Sequence, residues 1–270
     1  MLKVLGLTKN YKSKLTIFKN KAKSINAVND ISFSLNKNEI LGLVGESGCG
    51  KSTLARLLVR LEKPTRGTII YNGKDIWDIR KKEMNIFRKQ VQVIFQDTYC
   101  SLNPNLKVID SLMEPLNNHF KEKSKEDKIK EIKNLINFAS LDESILSRYP
   151  SKISGGERQR INICRALLLK PRVLICDEIT SSLDVCTQAY ILDMIKKLRN
   201  KYNTSILFIS HDIMSVDYLC DRIMVMKDGK LVEDIENKKI GLNSFTEEYT
   251  RELISSVPKR YFSNKAAFNK

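Results

Sequence analysis

Little in this sequence would let it cross a membrane, staple itself or read bases. No stretch of the 270 residues approaches the roughly 18 consecutive apolar residues of a membrane-spanning helix. The opening MLKVLGLTKNYKSK returns to charge before any apolar run of signal-peptide length, so no secretory signal is expected. The six cysteines form no CxxC pair in a chain too large to need disulfide staples. That argues against a disulfide framework or a zinc ribbon and for reduced, cytosolic thiols. Aromatic residues are only 7% and dispersed, which suits neither base stacking nor an Arg-aromatic nucleic-acid surface.

What is present is a 42% hydrophobic chain, enough for a sizeable core in one large or two small domains. Its charge is lopsided: 47 Lys and Arg against 31 Asp and Glu give +16 at pH 7. Such a balance invites an anionic partner. Lysine dominates, and it crowds the interval from Lys12 to Ser24 and the tail 259–270. A solvated basic surface is one reading. A functional patch is the other, and there a membrane surface is favoured over nucleic acid.

Leu2–Lys9 and Ile25–Leu35 alternate like strands, and Glu39–Val44 (EILGLV) is a nearly continuous apolar run, as in a strand buried on both faces. A glycine-rich loop and a helix over Lys51–Leu61 follow. Thr68–Tyr71 with Asn72-Gly73 reads as a strand and hairpin turn. Val91–Phe95 is another strand. The polar section 104–148 is expected to be helical, with Ile129, Ile132, Leu135, Ile136 and Ala139 as one apolar stripe. Beyond it come a helix at Glu157–Leu169, a strand at Val173–Cys176, a helix at Val185–Arg199, a strand at Ser205–Ile209 and a helix at Met214–Cys220. A hairpin around Asp228-Gly229 and a helix at Thr246–Ser255 close the chain. Strands alternating with helices predict a largely parallel sheet, with antiparallel strands from the first segment.

Gly45-Glu46-Ser47-Gly48-Cys49-Gly50-Lys51-Ser52-Thr53 fits GxxxxGK[ST] between a buried strand and a helix, the context that gives the motif meaning. Glycines let backbone N–H groups converge on phosphate oxygens, and the helix N-terminus adds a positive field. Lys51 is expected to reach the β- and γ-phosphates, and Ser52 to ligate Mg²⁺. Val173–Cys176 ends in Asp177 and Glu178. Asp177 is expected to hold Mg²⁺ directly or through water, and Glu178 to polarise an attacking water. The plain alternative is a solvated acidic turn.

Ser154, Gly155, Gly156 and Glu157 open a helix and make a second anion-binding nest. Two cradles with one Gly-Lys-Ser loop suggest that the second caps a nucleotide held by another subunit. An ordinary helix cap is the alternative. Gln96, at the end of the strand Val91–Phe95, is placed to sense the γ-phosphate or Mg²⁺. His211 ends a strand where open α/β sheets bind ligands. Asp184 is a candidate partner contact. Taken alone, Gln96 and Asp184 are also ordinary as a surface polar residue and a helix N-cap, and His211 as a structural histidine.

The ordered set GESGCGKST, Gln96, ISGGE, VLICDE, SSLD and His211 resembles the nucleotide-binding domain of an ABC ATPase over nearly the whole chain. The resemblance implies a P-loop NTPase α/β fold with a mostly parallel core sheet, N-terminal antiparallel strands and a helical subdomain insert. It implies a domain at 1–258, with the helical subdomain at about 97–165 and a basic tail at 259–270. Walker A then falls at Gly45–Thr53, the Q-loop at Gln96, the signature at Ile153–Glu157, Walker B at Val173–Asp177, the catalytic carboxylate at Glu178, the D-loop at Ser181–Asp184 and the switch histidine at His211. Tyr11 lies where the family stacks an aromatic on adenine, with Phe18 as an alternative.

Phe95-Gln96-Asp97-Thr98-Tyr99-Cys100-Ser101-Leu102-Asn103-Pro104 and Tyr249-Thr250-Arg251-Glu252-Leu253 resemble the oligopeptide, dipeptide and nickel importers. Ser52–Glu62 and Tyr218–Glu233 look most like the nickel importers of that group, so nickel is the implied cargo and a peptide the alternative. The implied ligands are ATP and Mg²⁺. No iron–sulfur cluster is expected, because no cysteine follows Cys220. The implied partners are a second, paralogous ATPase subunit in an ATP-sandwich dimer, two transmembrane permease subunits and an extracytoplasmic binding protein, but no nucleic acid. The implied location is the cytoplasmic face of the membrane. A soluble ABC ATPase working on nucleic acid or ribosomes is a remote alternative, since the chain has one such domain and the interval from Thr53 to Ile153 is too short for a long coiled-coil arm. Ile153, Glu157, Thr98 and Ile179 depart from the usual Leu, Gln, Pro and Pro. None of these removes a phosphate-binding, metal-binding or water-activating group.

Overall fold

The computed structural model describes residues 1–12, 24–97, 101–181, 183–236 and 246–255. Most of the lysine-rich interval, Phe18, Thr98 and the basic tail lie outside the described residues. The chain forms two compact units, one of Met1–Ile79 with Ile206–Lys270 and one of Arg80–Ser205. In chain order, β1 (Leu2–Lys12), β2 (Ser24–Leu35), β3 (Ile40–Val44), α1 (Lys51–Leu58), β4 (Arg66–Tyr71) and β5 (Lys74–Asp75) open the first unit. The second holds α2 (Lys81–Gln90), β6 (Val91–Ile94), α3 (Val108–His119), α4 (Lys125–Phe138), α5 (Gly155–Leu167), β7 (Val173–Asp177) and α6 (Val185–Tyr202). The chain returns to the first unit through β8 (Ser205–Ser210), α7 (Ile213–Leu219), β9 (Arg222–Lys227), β10 (Lys230–Glu236) and α8 (Glu248–Ser255).

In the first unit, an antiparallel sheet runs β2-β1-β4-β5. Asn72 (φ 50°) and Gly73 (φ 84°) make the two-residue hairpin turn that an Asn-Gly pair favours. The core strand β3 lies between β8 and β9 and is parallel to both, and β10 adds an antiparallel edge beside β9. All residues of β3 and β8 are buried, which is why their sequences read as unbroken apolar runs. Gly42 sits mid-strand because α7 packs hard against β3: a Cβ there would stand 2.3 Å from Val216 Cγ1. In the second unit, β6 and β7 pair in parallel, and β7 is buried throughout.

The helical section of the second unit is built as its apolar spacing predicts. Helix α4 is N-capped by Ser124 and buries Ile132, Leu135 and Ile136. Some elements differ from expectation. Helix α1 stops at Leu58 rather than Leu61, with Arg60 turned to φ 60°. Helix α2 has no counterpart in the sequence reading, because its sequence KKEMNIFRKQ is mostly polar and buries only Phe87. Among the described residues, no helix is long and apolar enough to cross a membrane.

Candidate nucleotide-binding and catalytic site

The buried strand β3 delivers Gly45 to the start of a loop that ends at α1. The loop glycines serve different needs. A Cβ at Gly50 (φ 113°) would stand 1.9 Å from the Ala27 carbonyl oxygen, so that position is closed by the backbone of β2. At Gly45 it would stand 2.2 Å from the Met226 carbonyl oxygen. Gly48 (φ 83°) faces nothing within 4 Å, an open side with no side chain of its own. Helix α1 begins without a side-chain cap and without an acid in its first turn. Its first N–H groups and positive end are therefore left for an anion.

Lys51 is only 3% exposed, and its Nζ donates to the carbonyls of Gly45 (2.7 Å) and Glu46 (2.8 Å). The ammonium is thus held over the loop by two acceptors. Cys49 lies in the same loop, and burial pushes its thiol above the ordinary range. Thr53 is buried, and its Oγ1 accepts from Arg56 Nη2 at 3.3 Å. Arg56 also pairs with Glu62 at 2.7 Å. The Tyr11 hydroxyl donates to that same Glu62, while Lys9 Nζ lies 5.1 Å from the Tyr11 ring centre. Tyr11 is therefore exposed but tied to the α1 end of the loop. His211 follows β8 and is exposed, and Asp212 next to it caps α7 through Met214 N (3.0 Å).

The second unit carries the remaining motif residues. Asp177 closes β7 at 3% exposure. A carboxylate taken that far out of water, and the hydroxyl of Ser52, are hard oxygen donors of the class Mg²⁺ accepts. Glu178 leaves the strand at φ 51°, left-handed backbone that a non-glycine residue adopts at a cost of about 1–2 kcal/mol. A carboxylate kept in such a conformation suits a role that glycine cannot fill. Gln96 Nε2 donates to Ser181 Oγ (3.2 Å), and that hydroxyl donates to the Glu178 carbonyl (2.9 Å). The residue expected to sense phosphate thereby touches the turn that carries the expected catalytic carboxylate. The sequence offers no local signal for this bond, which joins residues 85 apart.

Ser154 and Glu157 form a reciprocal capping box at the start of α5: Ser154 Oγ accepts from Glu157 N (3.2 Å), and Glu157 Oε2 accepts from Ser154 N (2.7 Å). The bond from the Ser154 amide holds the Glu157 carboxyl below its ordinary value. Gly155 meets nothing within 4 Å, whereas a Cβ on Gly156 would stand 2.8 Å from Thr187 Cγ2. Thr187 in turn donates its N–H (2.9 Å) and Oγ1 (2.7 Å) to Asp184, the N-cap of α6. The two motifs expected to face a partner subunit are therefore packed together, and Asp184 has the N-cap role that was its plain alternative. A cavity of about 340 Å³ is lined by Phe95, Ser101, Pro115, Asn162 and Arg165, among others. Asn162 is 5% exposed, and neither atom of its amide has a hydrogen-bond partner among the described residues.

A glycine loop closing on a buried lysine at an uncapped helix start is the arrangement of a P-loop nucleotide-binding protein, and the second unit separately carries a strand that ends in adjacent carboxylates. The ABC transporter family model matches residues 28–181. The oligopeptide transport ATP-binding protein AppF of Bacillus subtilis is 40% identical over 96% of this chain and 78% of its own length. The dipeptide transport ATP-binding protein DppF of Haemophilus influenzae is 38% identical over 96% of this chain and 78% of its own. Among solved structures, the dimeric post-hydrolysis state of the ATP-binding cassette MJ0796, bound to ADP and Pi, is 27% identical with a TM-score of 0.78, covering 89% of this chain and 100% of that one. The chain belongs to the ABC transporter family, as an ATP-hydrolysing, ATP-binding subunit of an importer. The expected fold class is the observed one. The nickel cargo implied by the sequence is not supported: these relatives are named for oligopeptides and dipeptides, which favours the alternative.

Proposed function

We propose that this chain is the ATPase subunit of an importer for short peptides, working at the cytoplasmic face of a membrane on two permease subunits that a binding protein supplies from outside. The cargo reading rests on one observation, identity of about two residues in five with oligopeptide and dipeptide ATPases along nearly the whole chain. The open face at Gly48, the buried Lys51 and the uncapped start of α1 support binding of the ATP phosphates by Gly45–Thr53. As the family resemblance implies, Ser52, Asp177 and Gln96 would each offer an oxygen to Mg²⁺. The metal, when bound, neutralises charge on the phosphates. Tyr11 offers a ring for the adenine.

Glu178 takes the role of polarising the attacking water, and His211 that of stabilising the charge that develops on the leaving phosphate. Ser154, Gly155, Gly156, Glu157 and Asp184 face a second ATPase subunit, a paralogue as the family resemblance implies, and complete its nucleotide site. The Asn162 amide, without a partner among the described residues and in the cavity lined by Phe95 and its strand neighbours, suits a contact with permease backbone.

The test is reconstitution of the whole importer with its binding protein loaded with peptide or with nickel. Peptide is expected to stimulate ATP turnover and nickel not to. Stimulation by nickel alone would reverse the cargo reading and leave the ATPase reading intact.

A further inference from the structure

The peptide unit between Gly45 and Glu46 is held from both ends. Its carbonyl, on Gly45, accepts from Lys51 Nζ at 2.7 Å. Its N–H, on Glu46, donates to the Tyr249 hydroxyl at 3.1 Å, a bond between residues 203 apart. Tyr249 belongs to α8 and is 7% exposed. Its ring is covered by Lys227 Nζ, 4.5 Å from the ring centre. The next residue, Thr250, is fully buried, so α8 is seated in the first unit at this point. The far side of the loop is braced as well: Gly229 N, in the β9–β10 turn, donates to the Cys49 carbonyl at 3.0 Å.

The loop is thus stretched between its own lysine and two elements from the C-terminal part of the chain. Only two of these bonds fall on the peptide's own carbonyl and N–H, the lysine's and the tyrosine's, and the lysine is the group that must also face phosphate.

We propose that Tyr249 is a positioning residue for nucleotide binding: its hydroxyl fixes the Gly45–Glu46 peptide, keeps the Lys51 ammonium aimed over the loop, and makes α8 a latch on the ATP site. This rests on the reading of Gly45–Thr53 as the phosphate loop. A latch that pre-organises the loop lowers the cost of binding ATP without touching the reacting atoms. One hydrogen bond of ordinary net strength changes affinity by about two- to ten-fold.

The test compares three variants in the assembled importer. Tyr249→Phe keeps the ring and its contact with Lys227 and removes only the hydroxyl. It is expected to raise KM for ATP by about two- to ten-fold, with kcat unchanged and the melting temperature lowered by no more than the loss of one hydrogen bond. Thr250→Val keeps the shape of the seated helix and is expected to leave KM unchanged. Lys51→Ala tests the underlying reading, since it should abolish tight ATP binding. If Tyr249→Phe leaves KM unchanged, or if Thr250→Val raises it equally, the latch is overturned. If Lys51→Ala also binds ATP with undiminished affinity, the phosphate-loop reading fails with it.

Discussion

Replacing Ser154 by Asp separates helix capping from nucleotide contact. In the wild type, Ser154 has the extended backbone of an N-cap (φ −67°, ψ 163°), and its Oγ accepts from Glu157 N at 3.2 Å. Asp caps as well as Ser, whereas Ala at an N-cap costs about 0.5–2 kcal/mol. Ser154→Asp should therefore unfold in urea within about 1 kcal/mol of the wild type, allowing for some repulsion with Glu157. The same change brings a negative charge to the cradle. At about 5 Å from a phosphate charge, repulsion lies between about 1 kcal/mol in water-like surroundings and about 3 kcal/mol near a protein surface. That is a loss of about five-fold to more than a hundred-fold in ATP-dependent pairing with the partner ATPase. The assay co-expresses both subunits and follows pairing by light scattering as ATP is titrated. Native stability with undiminished pairing would refute the reasoning and leave Ser154 as a helix cap alone.

The loop glycines should divide by what a methyl group meets. Gly50→Ala drives a Cβ to 1.9 Å from a backbone oxygen and should cost at least about 3 kcal/mol in denaturant unfolding. Gly48→Ala meets no atom within 4 Å and should cost only the backbone strain, about 1–2 kcal/mol, while weakening ATP binding measured by calorimetry. Equal stability losses would contradict the packing argument. The capping box also predicts a pH dependence. The folded protein holds the Glu157 carboxyl below its ordinary 4.5, so its stabilising share is complete above that value and fades as pH falls through the lowered folded value. The melting-temperature advantage of wild type over Glu157→Gln should therefore be present at neutral pH and disappear in acid. An advantage that grew on acidification would have the wrong sign.

What could be read in advance followed from local pattern. EILGLV and VLICD announce strands because strands buried on both faces need apolar residues at every position. The two hairpin turns, Asn72-Gly73 and Asp228-Gly229, announce themselves because each needs positive φ twice. Glycine-Lys-Ser after such a strand marks the proposed phosphate loop by the same kind of local pattern. What could not be read depended on distant neighbours or on missing pattern. Helix α2 is mostly polar and buries one residue, so it offers few apolar positions to read. The left-handed Glu178 has no glycine to mark it. The need for glycine at 156 comes from Thr187, thirty-one residues on, and the Tyr249 bond to Glu46 crosses most of the chain. Cargo was the least legible feature, since nothing in an ATP site encodes what a permease carries.

The proposed function depends most on Glu178, just past β7, as the residue that activates water for ATP cleavage. Glu178→Gln keeps the size and the backbone conformation and removes the basic oxygen. Single-turnover measurement of phosphate release in the assembled importer tests it directly. ATP is expected to bind as in the wild type and release to fall by about a hundred-fold or more, with the ATP-bound paired form accumulating. Release at the wild-type rate with normal binding would contradict it and assign the water to another residue.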